Sequence, residues 1–408
     1  MYGAAIFMFL NNEGQTIISN SSFNKCEAND GGGVYAVIFS GGQMIIDGQC
    51  NFTECQISGQ GGGLWTQNDG SLTIKDGVKF ERCTSSRGGG IYVIQSNVGQ
   101  LFITNSEFIQ CKGSEIQGGA IYLSIFNGGY VTISNLSFNQ CEAKYGGGIY
   151  AAIQSGGKMN IIGQCNFTDC KAETNGGGIR VNVSGIGSLL TLDDEVKFKN
   201  CSANVGGGIW SNVNNGGQIS IKDQCLFTEC KSISGNGGGI YSDINDGTLN
   251  IEDTTFDSCN CTQPGNGGAL CLIQGSSSII SITNSSFINC KTISNSSYQR
   301  YGWGGAIFIQ TLVTSENLIE SKFQLTVLAF IGCSAVNSIG NNIHIRSHNT
   351  VGTGEAIEQQ NLVTVNGTIN LYYNNSYQQD YMGIDESKVG DGTIINNNIP
   401  LFSSLFLR

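Results

Sequence analysis

Short apolar runs recur along the chain, alternating residue by residue with polar positions and closed by Gly, Asn, Asp or Ser. An apolar period of two marks strand, and no helical period is visible. Glycine clusters begin at Gly31, Gly61, Gly88, Gly118, Gly146, Gly176, Gly206, Gly237 and Gly267, 27 to 31 residues apart, with a longer interval before Gly304. Each period holds three such runs. A solenoid adds coils without needing a second core, so the 408 residues predict one rod and not several globular domains. The expected fold is all-β: a right-handed, three-sided parallel β-helix of about eleven coils over residues 1–345. Residues 346–408 lose the repeat and read as a C-terminal cap or tail with short β runs at 361–372.

Aligning the coils gives columns. The first strand supplies an inward aliphatic (Ile6, Val34, Leu64, Ile91, Ile121 and their equivalents to Ile307), the second an Ile or Leu (Ile18 to Ile282), the third a Phe (Phe23 to Phe330). Side chains of one parity share a face, so these columns fill the bore. Each buried side chain contributes ~1.5–3 kcal/mol. After the second strand only Asn, Gly or Asp occurs, from Asn20 to Asn284, which marks a left-handed corner. Gly3-Ala4-Ala5-Ile6-Phe7 matches the later Gly-Gly-Gly-Ile-Tyr, so the chain starts in mid-coil and reads as a piece of something longer.

Composition narrows the partners. Charged residues are 12% and the net charge is −11, which argues against nucleic acid and anionic membranes. No apolar run is long enough to cross a membrane as a helix. Of the 16 cysteines, those from Cys26 to Cys333 that follow the column Phe by three form one ladder. Parallel Cβ vectors suit a disulfide torsion poorly, so a column of small buried thiols is expected. Cys50, Cys165, Cys225 and Cys261 fall in small-residue columns, and no Cys or His spacing suits zinc. Asn-x-Ser/Thr sequons are numerous, as in a eukaryotic secreted protein.

Gly118-Gly119-Ala120-Ile121 and Phe108-Ile109-Gln110-Cys111 resemble the Gly-Gly-Ala-Ile and Phe-x-x-Asn repeats of chlamydial polymorphic outer membrane proteins. They are also similar to repeat proteins with right-handed, pectin-lyase-like β-helices on the surfaces of anaerobic protists. The resemblance covers about residues 1–345, with Cys standing where that family has Asn. It implies an adhesin-like protein, secreted or on the cell surface.

Two surfaces are candidates for function. The residue after each first-strand aliphatic points away from the bore, and this column includes Tyr35, Trp65, Tyr92, Tyr122, Tyr150, Trp210 and Tyr241, interrupted by Arg180 and Cys271. Such a stripe suits sugar rings or a flat protein contact, although aromatics also stack along strands for purely structural reasons. The second is acidic: Asp194, Asp223 and Asp253 occupy one corner in successive coils, a candidate calcium site, with Lys197 and Lys222 as neutralising neighbours. No catalytic residue and no cofactor other than that calcium is assigned. The expectation is a non-enzymatic adhesin-like rod that binds a glycan or protein surface. A carbohydrate-active lyase or hydrolase is the alternative, and a structural rod that self-associates end to end is another.

Overall fold

The computed structural model describes residues 5–298, 300–390 and 397–402. The chain is a parallel β-solenoid of about ten turns. One coil shows the plan: strand one is Ile149–Gln154, strand two Lys158–Ile162 and strand three Asn166–Thr168. Successive coils pair in parallel and in register. Ile121 faces Ile149, which faces Ile179, and Phe138 faces Phe167, which faces Phe198. The three expected inward columns fill the bore, and Phe52 through Phe287 are fully buried.

Eight consecutive coils also carry a short strand that the alternation does not reveal. From Thr84–Arg87 to Lys291–Ile293, eight such strands form a separate sheet, for example Lys171–Asn175. They are two to six residues long and mostly bury a single small side chain, such as Ala143, Ala172 or Cys261. One inward residue is too little to register as a period.

Three left-handed corners recur from coil to coil, and the turn between strands one and two is left-handed in most coils as well, as at Asn12, Gly41, Asn97, Ser155 and Asn215. The Asn/Gly/Asp column takes positive φ as expected, including Asn20 (46°), Asp76 (60°) and Asn284 (45°). The residue before each ladder Cys does the same, from Lys25 (51°) to Asn289 (52°). Its identity varies freely between Lys, Glu, Arg, Gln, Asp, Asn and Ser, so sequence gives no hint of it. The first residue of each glycine cluster is the third corner. A Cβ on Gly146 would lie 2.3 Å from the Ile149 carbonyl oxygen. The second glycine is needed for space, since a Cβ on Gly147 would sit 2.4 Å from the carbonyl oxygens of Gly177 and Lys171. The corner expected at Gly3 and Ala4 lies outside the described residues.

The ladder continues past Ile345. Ile343 of the last coil pairs with Tyr381 in strand Tyr381–Asp385, and Ile399–Pro400 closes that edge antiparallel. Between them lies helix α1, Thr350–Gln360, where no helical period was expected. Its apolar content is slight, so it depends on its ends and on burial of Ala356 and Ile357. The Asn349 side chain accepts from the Gly352 N–H at 3.0 Å, and left-handed Asn361 caps the other end. Of the β runs expected at 361–372, Val363–Val365 is a strand. At the opposite end, Phe7, Phe9 and Ile17 of the first rung are exposed. No helix among the described residues is long and apolar enough to cross a membrane.

Candidate functional site

The aromatic column lies outside the bore, on strand one, as its parity requires. Its rings stack on one another. Tyr35 and Trp65 are 4.2 Å apart, Tyr92 and Tyr122 4.6 Å, Tyr122 and Tyr150 5.2 Å, all within a few degrees of parallel. The coil spacing of ~4.8 Å imposes this arrangement. Trp65, Tyr92 and Tyr150 are buried; Tyr35, Tyr122, Trp210 and Tyr241 are half-buried. Ring faces are therefore turned toward neighbouring rings, and what reaches solvent is mainly ring edge. Burial, and next the neighbouring tyrosines, push the Tyr122 hydroxyl up to about 12.

Arg180 continues this stack. Its guanidinium lies 5.5 Å from the Tyr150 ring centroid and 4.7 Å from that of Trp210, with Tyr145 at 4.1 Å. Its Nε is buried without a hydrogen-bond partner, so ring faces supply its attraction. Towards the C-terminal end, Cys271 and Phe308 are buried in the same column. His344 follows in register with Phe308, stacked 4.9 Å from Trp303 and 5.6 Å from Phe308. Its Nε2 lies 2.7 Å from the Asn398 Oδ1, and burial drives its pKa down to about 4.

The acidic corner is left-handed at Asp194, Asp223 and Asp253. Lys222 bridges Asp193 at 2.8 Å and Asp223 at 2.9 Å, and Lys197 pairs with Glu195 at 3.1 Å. A hydrogen bond with Asp193, then the Lys222 ammonium, hold the Asp223 carboxyl below its usual range. Asn284 Nδ2 donates to Asp253 at 3.4 Å. Among the described residues, no group of three or more His, Cys, Asp or Glu side chains is arranged to hold a metal ion.

All 16 cysteines are free thiols, and only Cys26 and Cys333 are partly exposed. From Cys55 onward, each ladder thiol donates to the carbonyl of the Phe one coil back, at 3.2 to 3.6 Å. Burial raises the thiols of Cys201, Cys230 and Cys259 well above their usual range, which keeps them protonated. The ladder is thus a fastening between coils.

Sequence reasoning missed a polar surface on the fourth strand. In consecutive coils its first outward position reads Thr84, Lys112, Glu142, Lys171, Ser202, Lys231, Asn260 and Lys291. Two hollows of about 410 and 610 Å³ border this row and share Lys112, Glu142 and Lys171. The larger hollow crosses consecutive coils from Gln56 to Asn200 and is lined by amides, lysines and carboxylates. A fixed offset would have exposed the row, because each of these lysines directly follows a ladder Cys.

Fold and surface together define a parallel β-solenoid repeat protein with polar, coil-spanning sides. No family model matches the chain, and no curated protein matches it. Among solved structures, a TibA fragment, hyper-glycosylated in a TibC-catalysed reaction, aligns with 84% of this chain and 93% of its own length. Its identity is 14% and its TM-score 0.29, so nothing about this chain's chemistry follows from it.

Proposed function

We propose that this chain is a non-enzymatic, adhesin-like solenoid, secreted or displayed at the cell surface, that binds a glycan or protein surface along its side. The observation that carries this is the larger hollow on the fourth-strand side. It runs along the rod across consecutive coils from Gln56 to Asn200 and presents a polar or charged group at each step. A surface of that kind contacts an extended partner at many equivalent points, each weak, and gains strength from their number. The aromatic column contributes a second contact through the half-buried edges of Tyr35, Tyr122, Trp210 and Tyr241.

The intact protein, presented to a broad panel of glycans and cell-surface proteins, tests this. Retention of at least one class, with no new reducing or unsaturated ends released, is the expected result. Release of such ends would instead favour a carbohydrate-active enzyme, and retention of nothing would end the proposal.

A further inference from the structure

We infer that the lysine row of the fourth strand binds a linear acidic polysaccharide carrying its charge on every second sugar. This rests on the side-binding function proposed above and specifies its ligand class. Lys112, Lys171, Lys231 and Lys291 are all exposed and recur in every second coil. Two coil rises of ~4.8 Å separate neighbouring lysines by roughly 10 Å, close to the length of a disaccharide unit. The coils between them present Glu142, Ser202 and Asn260 at the same position, groups suited to the hydroxyls of an uncharged sugar.

The surroundings agree. Lys112 pairs with Glu142 at 3.0 Å, and Lys231 donates to Asn200 at 3.3 Å. Among the described residues, Lys171 and Lys291 have no carboxylate within ion-pair distance. The hollows flank Lys112 and Lys171 and give a polymer chain room to lie there, with Glu142, Asp169 and Glu173 also in their linings; Lys231 and Lys291 continue the row beyond them. Ammonium groups on flexible stems act as point charges and accept carboxylate or sulfate alike. A polymer charged at every unit would leave half its charges facing Glu142 and its neutral equivalents, in a protein of net charge −11. Nucleic acid has that denser spacing.

The test compares hyaluronan oligosaccharides, charged on alternate sugars, with polygalacturonate, charged on every sugar, using the intact chain. One variant carries Lys112→Gln, Lys171→Gln, Lys231→Gln and Lys291→Gln. A control with the same charge change on other faces carries Lys75→Gln, Lys79→Gln, Lys158→Gln and Lys222→Gln. The row variant should bind hyaluronan at least about tenfold more weakly, the product of several surface contacts, while the control keeps its affinity and both melt with the wild type. Affinity should also rise with each added disaccharide until the row is covered. Unchanged binding by the row variant, or polygalacturonate binding as tightly as hyaluronan, overturns the inference. If hyaluronan fails but another glycan or a protein is retained, only this inference falls; if nothing is retained, the side-binding function falls with it.

Discussion

Two aromatic ladders run the length of this molecule, one inside the bore and one outside it. The inner phenylalanines stack at 4.4 to 5.2 Å, the outer rings at 4.2 to 6.2 Å. Their geometry is nearly the same, because the rise between coils sets it. Their tolerance differs. Every inner position is Phe, whereas the outer column admits Tyr, Trp, Arg and Cys. The inner ring is closed in by the glycine cluster that opens its own coil: a Cβ on Gly148 would meet the Phe167 ring at 2.9 Å. A cavity of fixed shape dictates one side chain, while the outer stack accepts flat groups such as Tyr, Trp and Arg and, at Cys271, a small thiol.

The most forceful way to break this comparison is to delete one ring from each ladder. Phe138→Ala should cost about 3–5 kcal/mol by denaturant unfolding, a buried aromatic lost from a closed core. Tyr122→Ala, with one edge already in water, should cost roughly half as much or less. Equal losses would mean that the outer stack holds the fold as firmly as the bore.

Acid probes the outer column where it becomes fully buried. His344 titrates near 6.5 when unfolded and at about 4 when folded, so the fold favours its neutral form. That stabilisation is complete above pH 6.5 and declines as pH falls towards 4, by roughly 3 kcal/mol for the region around it. His344→Gln should flatten this pH dependence in hydrogen exchange of the C-terminal strands. An unaltered profile would assign the acid sensitivity to other groups.

Smaller still is the effect expected at Arg180. Arg180→Ala and Trp210→Ala in a double-mutant cycle should show a coupling of about 0.5–2 kcal/mol. Zero coupling would reduce the guanidinium to a spacer. Thiol labelling requires no mutation: Cys26 and Cys333 should react in the native protein, and the other fourteen only on unfolding. Rapid native labelling at Cys170 would show that coils open readily.

Much of this was legible in the sequence because burial constrains identity. The Phe column, the aliphatic columns and the Asn/Gly/Asp corner all restrict the side chain and so repeat visibly. The corner before each ladder Cys does not, since its side chain faces water and its backbone N–H is held by the next coil, as Glu54 is by the Glu81 carbonyl. The fourth strand buries too little to leave a period. Helix α1 escaped notice because Asn349, Asn361 and tertiary packing hold it without an apolar stripe. The aromatic column's position outside the bore follows from strand parity, but the burial of Trp65, Tyr92 and Tyr150 and the ring-to-ring stacking depend on the rise between coils and become visible only in three dimensions. The lysine row was hidden for a related reason, as its meaning lies in alternation between coils.

The acidic-polysaccharide form of the side-binding account turns on whether hyaluronan is held and left intact. Hyaluronan incubated with the intact protein should co-elute with it on size exclusion and be recovered from the complex at its original chain length. Recovery of shortened chains, or elution of the two apart at every concentration, would contradict it.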